Sequence, residues 1–376
     1  MLRRMALEEC LSRIAAREPE VRAWVEVSPQ PPLAEGPLSG VPFGAKDIFE
    51  TVGMATEYGS PIYAGHKGEC DAALITELRR LGAVLIGKTQ TAAFAYLDPP
   101  PTRNPRDPRR TPGGSSSGSA AAVAAGMVAF ALGTQTQGSI LRPASYCGVV
   151  GFKPTFGHIS RVGVLPFAPS LDTPGFFTET AAGMLELNSA LGLRSSEPRW
   201  KFALFADAAL DDAVARLRAA GFTIIDADPP EGFHALLAAA RVINDYEGAR
   251  IHEERWRQFG DRIGAKLAAL VRSGLAIPRD QYDSAVSHVR AMRQVMTAFF
   301  REFPVILTPA ATGAAPLGLE STGDPSRNAP WSALGVPAIS VPMPVEGLPL
   351  GLQMTAAANE DAMLLATAVA VETSLC

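Results

Sequence analysis

A chain of 376 residues, 47% hydrophobic and 19% charged, can bury a large core, which excludes a disordered chain. Its net charge of −4 is spread without a basic block, which argues against nucleic acid as the main partner. The longest apolar run, Ala120 to Leu132, falls short of the roughly 20 residues a spanning helix needs, so no membrane segment is expected.

In chain order, Leu2 to Ala16 places Leu2, Met5, Leu7, Leu11 and Ile14 at helical spacing, which predicts an amphipathic helix on the outside of a sheet. Acidic residues follow the two N-terminal arginines where a signal peptide would need an apolar core, so a cytoplasmic protein is expected. The Pro-rich Ser28 to Pro37 breaks the helical pattern and leads into a strand over Val41 to Phe49. A helix over Ala72 to Leu81, a buried strand over Ala83 to Ile86 and an Ala-rich helix over Ser117 to Val128 follow. A helix over Ala208 to Ala220 precedes a strand over Phe222 to Ile225, and Phe233 to Phe303 reads as almost wholly helical with a break at Pro278. Alternating buried strands and helices predict an α/β protein. Cys10, Cys70, Cys147 and Cys376 lack CxxC spacing and read as separate thiols, and the five scattered histidines predict no zinc site.

Three stretches each set a polar residue among small or apolar neighbours: Gly-Ala-Lys46-Asp, Gly-Gly-Ser115-Ser-Ser-Gly-Ser and Gln-Gly-Ser139-Ile. With GVPFGAKDIF (residues 40–49), TPGGSSSGSAAAVAAGMVAFALG (111–133), GTQTQGSILRP (133–143), GVVGFKPTFG (148–157) and the closing GVPAISVP and LPLGLQM, the chain resembles the amidase signature family. The order and spacing of Lys46, Ser115 and Ser139 are close to the family pattern. The resemblance implies one amidase domain over residues 1–376 with a large twisted mixed β-sheet and helices on both faces. Within it lie a motif-rich core (40–180), a variable, mostly helical substrate side (about 193–305) and closing strands (306–376). It implies hydrolysis of a carboxylic amide without metal or cofactor, in a chain shorter than many members, which suggests trimmed loops.

The residue chemistry agrees with that. A serine hydroxyl attacks only when a base takes its proton, and no histidine lies in any motif. Lys46, among Phe43, Gly44, Ala45 and Ile48 with no counter-charge beside it, would be neutral near pH 7 if desolvated, while Asp47 would point to the opposite face of a strand. The family's Ser-cisSer-Lys triad maps onto Ser139 as nucleophile, Ser115 as relay and Lys46 as base. Its oxyanion donors map onto the backbone N–H groups of Thr136, Gln137, Gly138 and Ser139. The sequence departs from the general pattern at Gln135, usually aspartate, and Gln137, usually glycine.

Arg142, three residues after the nucleophile, resembles malonamidase-like members that hold a substrate carboxylate, although a buried ion pair supporting the turn before Pro143 is the preferred reading. Ser116 either steadies the lysine, as in the family, or caps the following helix. Asp172, Asp324 and Lys153 read as loop braces, and Trp331 and Phe176 as core residues. Two other matches fail on context. Gly114–Gly118 fits the G-x-S-x-G elbow but lacks a preceding apolar strand, and Gly82–Thr89 fits a P-loop only by counting an apolar strand as its loop. The expected partner is a small-molecule amide, with a homodimer possible. The alternatives are an ammonia donor for tRNA-dependent amidation, like the A subunit of a glutamine amidotransferase, and a carbamate or ester hydrolase.

Overall fold

In the computed structural model, residues 1–375 are described, so the Cys376 thiol lies outside the described residues. Eleven strands form one sheet: β1 Trp24–Gln30, β2 Pro42–Lys46, β3 Val84–Thr89, β4 Phe130–Gln135, β5 Val150–Lys153, β6 Thr173–Thr178, β7 Lys201–Leu204, β8 Thr223–Asp226, β9 Val305–Pro309, β10 Ala338–Pro342 and β11 Gly351–Ala356. Their order is β1-β3-β2-β4-β6-β5-β10-β11-β9-β7-β8. β2 runs parallel to both β3 and β4, β7 runs parallel to both β8 and β9, and the remaining neighbours are antiparallel, so the sheet is mixed.

Successive strand residues face opposite sides of a sheet, and here they enter two different cores. Leu85, Phe130, Leu132 and Phe176 join one, with the helices Ala73–Arg80, Ala181–Ala190, Ala235–Phe259 and Asp361–Leu375. Ile86, Ala131 and Phe177 join the other, beneath Leu7–Val21, Ser117–Ala124 and Leu141–Cys147. Both faces are therefore covered. Central strands such as β4 and β6 are buried at every position and read as apolar runs rather than as alternations.

Several boundaries differ from the sequence expectation. The first helix spans Leu7–Val21 rather than Leu2–Ala16, although Leu2 and Met5 are buried just ahead of it. β1 occupies part of the stretch expected to be only a breaker; it pairs with β3 alone, and an edge strand tolerates Pro29. The strand expected over Val41–Phe49 stops at Lys46. The long helical segment breaks at Pro278 and also near Gly264, whose φ of 110° no ordinary helix admits. Cys10, Cys70 and Cys147 are free thiols, and no helix among the described residues is long and apolar enough to cross a membrane.

Candidate active site

The site lies where β2 and β4 end side by side. Lys46 closes β2 and is fully buried; its Nζ lies 2.9 Å from Ser115 Oγ and 2.8 Å from Thr134 Oγ1 on β4. Burial pushes the lysine down to about 7, with the Asp172 carboxylate opposing that shift. The counter-charge thus comes from far along the chain, not from the neighbours of Lys46. Asp47 turns instead to Lys88 at 3.1 Å, and burial raises its carboxyl to about 6 against the pull of that partner.

Ser115 follows a cis Gly114–Ser115 peptide and leads into the helix Ser117–Ala124. Ser116 takes neither expected role. It occupies the cap position without capping, and its Oγ meets the Thr134 carbonyl and N–H, each at 3.3 Å, leaving Thr134 to hold the lysine. Thr134 was not singled out in the sequence.

The segment from Gln135 to Leu141 joins β4 to the helix Leu141–Cys147 and carries Ser139. Three side chains pin it. Gln135 Oε1 accepts from the N–H groups of Ile140 (2.9 Å) and Leu141 (3.0 Å), Asp172 Oδ1 accepts from Thr136 Oγ1 (2.7 Å), and Ser332 Oγ donates to the Gln137 carbonyl (2.7 Å). The glutamine that departs from the general pattern is therefore a brace for the turn. Among the described residues, the N–H groups of Gln137, Gly138 and Ser139 have no hydrogen-bond acceptor. Backbone donors are rarely left unspent, and three together offer a place for a negative oxygen.

Thr136, Gln137, Gly138, Ser139 and Arg142 line a cavity of ≈ 240 Å³. Arg142 is buried, and burial lowers it to about 10, so it stays cationic at neutral pH. The ion pair expected for it is absent among the described residues. Nε donates to the Thr322 carbonyl (2.7 Å), Nη2 donates to the Gly114 carbonyl (2.6 Å), and Nη1 is buried without a partner. The residue both braces the peptide before Ser115 and keeps one donor unspent.

The other polar residues singled out in the sequence sit outside this cavity. Asp172 accepts from the N–H groups of Phe167 and Ala168 at 2.7 and 3.0 Å, Asp324 accepts from Ser326 N–H at 2.8 Å, and Lys153 Nζ donates to the Pro154 carbonyl at 2.8 Å. Lys88 sits within β3 and donates to the Phe49 carbonyl (2.9 Å) and Thr56 Oγ1 (2.6 Å), so no phosphate loop forms around it. Trp331 packs against Phe205 and Phe233, and Phe176 lies in the core.

The comparisons with known proteins agree with this geometry. The A subunit of a glutamyl-tRNA(Gln) amidotransferase from Chloroflexus aurantiacus is 32% identical over 443 aligned positions, covering 95% of this chain and 90% of the relative. Those positions outnumber the 376 residues here, so the alignment opens gaps in this chain. Among solved structures, a crystal structure of an amidase superposes with a TM-score of 0.87 at 29% identity, covering 98% and 95% of the two chains. A chain from a vestigial protein complex, described as revealing the evolutionary origins of an s-triazine catabolic enzyme, gives 0.87 at 29% identity, covering 98% and 94%. The Amidase family profile matches residues 5–192 and 188–365, so the chain belongs to the amidase family and is an enzyme acting on linear C–N amide bonds.

Proposed function

We propose that this enzyme hydrolyses a small carboxylic amide by acyl transfer, with Ser139 as nucleophile, Ser115 as proton relay and Lys46 as base. The observation that carries the reading is the fully buried Lys46 Nζ, 2.9 Å from Ser115 Oγ and lowered to about 7, beside a cavity lined by Ser139. A lysine neutral near pH 7 can take a proton from a hydroxyl, which an ordinary lysine cannot do. Ser115 passes its proton to Lys46 and takes the proton of Ser139, whose Oγ bonds to the carbonyl carbon. The carbonyl oxygen becomes negative against the N–H groups of Thr136, Gln137, Gly138 and Ser139. The C–N bond then breaks, Ser115 hands a proton to the departing nitrogen, Lys46 returns the proton it held, and water releases the acyl group by the reverse route. Arg142, cationic, lining the cavity and with one buried donor unpartnered, suits a carboxylate on the acyl portion.

A second reading, a component of an amidotransferase that releases ammonia for a partner, is favoured by the identity to the Chloroflexus protein over nearly the whole chain. One experiment separates the two. Malonamate, glutamine, simple aliphatic amides and carbamates are offered to the isolated chain, with Ser139→Ala as control, and the mass of the purified particle is measured by light scattering. Turnover by the isolated chain, lost in Ser139→Ala, supports the first reading, and a normal rate in that variant refutes it. Glutamine hydrolysis that requires a co-purifying protein supports the second.

A further inference from the structure

The cavity that holds Ser139 is one of two that meet. A second, of ≈ 440 Å³, shares Ala95, Thr136 and Phe167 with it. Its wall is chiefly apolar, with Ile48, Val164, Leu165, Pro169 and Pro174 beside the shared Phe167. Its threonines and Asp172 are already engaged, while Arg161, an exposed residue, keeps part of its guanidinium free. Thr134 Oγ1 accepts from Lys46, Thr136 Oγ1 donates to Asp172, Thr173 Oγ1 donates to the Leu171 carbonyl, and Arg161 donates to the Pro169 carbonyl. Such a cavity offers a ligand mainly apolar surface, with the Arg161 guanidinium as its free polar group.

Its position relative to the relay gives it a role. The acyl carbonyl must point at the free N–H groups of Gln137, Gly138 and Ser139, which belong to the first cavity. The nitrogen must face Ser115, because that hydroxyl supplies its proton. Ser115 is held by Lys46, and Lys46 by Thr134, which lines the second cavity, as does Ile48, two residues after the lysine. The lobe thus lies beside the lysine end of the relay, which suits it to the amine side of the scissile bond.

The neck between the lobes is narrow in chemistry but fixed in shape. Ala95 contributes only a methyl group. The Phe167 ring is stacked on Tyr96 at 5.2 Å, rests against His252 at 5.4 Å, and occupies the space at Gly248, where a Cβ would lie 2.7 Å from it.

We infer that the preferred substrates are secondary amides whose amine portion is apolar, its alkyl or aryl group seated between Val164, Phe167 and Pro174, rather than primary amides that release ammonia. This rests on the hydrolytic reading of Ser139 given above. The C–N bond broken is the same, and the nitrogen leaves as a neutral primary amine carrying the proton from Ser115.

The test holds one acyl group constant, bearing a terminal carboxylate, and varies the amine from ammonia to butylamine to cyclohexylmethylamine. The wild type is compared with Val164→Phe, which fills the lobe from a half-buried position, and Val164→Ala, which enlarges it. The N-alkyl amides should exceed the primary amide in kcat/KM by about tenfold or more, the scale at which an apolar pocket discriminates. Val164→Phe should erase that advantage, lowering kcat/KM for the two N-alkyl amides by about tenfold or more relative to the primary amide. Val164→Ala should shift the preference towards the cyclohexylmethyl amide, and it carries the test alone if Val164→Phe does not fold. A primary amide cleaved as well as the others, an equal effect of Val164→Phe on all three, or no shift with Val164→Ala overturns the inference and leaves amide hydrolysis intact. Silence towards all three, with no acyl group on Ser139 by mass spectrometry, overturns the hydrolytic reading and the inference with it.

Discussion

A lysine serves as base at neutral pH only if its surroundings strip its charge, and at Lys46 burial does so while Asp172 limits the shift. Below about pH 7 the side chain is protonated and cannot accept from Ser115; above it the free amine can. The plot of kcat/KM against pH should therefore rise on its acid side with a midpoint near 7, and a flat profile from about pH 5 to 9 would exclude this base. Thr134 is the second holder of the amine, accepting one N–H and so helping to fix the nitrogen 2.9 Å from Ser115 Oγ. Thr134→Val should lower kcat by about tenfold or more with KM little changed, whereas Thr134→Ser should keep most of the rate. Lys46, Ser115 and Ser139 stood out in the sequence because small residues surround each one. Thr134 and Ser332 did not, and Gln135 stood out only as a departure from the family pattern, because their meaning lies in contacts across the fold, such as Gln135 Nε2 donating to Ser332 Oγ 197 positions away. Arg142 was legible as a polar residue near the nucleophile, but its carbonyl partners come from segments no local pattern connects.

The helix Ser117–Ala124 shows how an element's composition follows from what it lies against. Ser119 Oγ reaches the Leu132 carbonyl at 2.7 Å, and Gly118 N–H reaches the Gln90 carbonyl at 2.9 Å, so its first turn lies directly against neighbouring backbone. A Cβ on Gly118 would run into the Ala23 carbonyl oxygen and the Gln90 backbone nitrogen, both well inside van der Waals contact. In an exposed helix, Gly→Ala gains up to about 1 kcal/mol. Here the obstacles are backbone atoms that cannot swing aside, so Gly118→Ala should destabilise by about 2 kcal/mol or more, read as a lower urea midpoint. Because Ser115 and Ser116 immediately precede this helix, activity should fall with it. The element was legible as Ala-rich and helical, but it ends at Ala124 rather than Val128, where Gly126 takes a φ of 68°. The same limit explains β1. Its Pro29 reads as a breaker locally and is tolerated only because the strand lies at the sheet edge, a fact of the whole sheet rather than of the segment.

At the scale of the molecule, a sheet covered on both faces makes ionisable groups at its strand ends costly, and the chain places a second lysine under the same constraint away from Ser139. Lys153 closes β5, is fully buried, and burial lowers it to about 7 from the ordinary 10.5, with Asp361 opposing. Between those two values the unfolded chain holds a proton on this lysine that the folded chain has released. The unfolded state then binds more protons, so this group's contribution to stability rises as pH rises through that window. Lys153→Met removes the contribution. Whatever its stability relative to wild type at pH 7, the wild type should gain on the variant between pH 7 and about 10, measured as the difference in urea midpoints. Lys46→Met should show the same drift, because the same burial acts on it, but should also abolish turnover, whereas Lys153→Met should leave turnover in place. A difference in midpoints that stays constant with pH in both variants would mean that burial depresses neither lysine, and the case for Lys46 as a neutral base would fall with it. A drift in both, with activity lost in only one, would place the depressed lysine in the architecture of the sheet and the catalytic use of it in the neighbours that Ser115 and Thr134 provide.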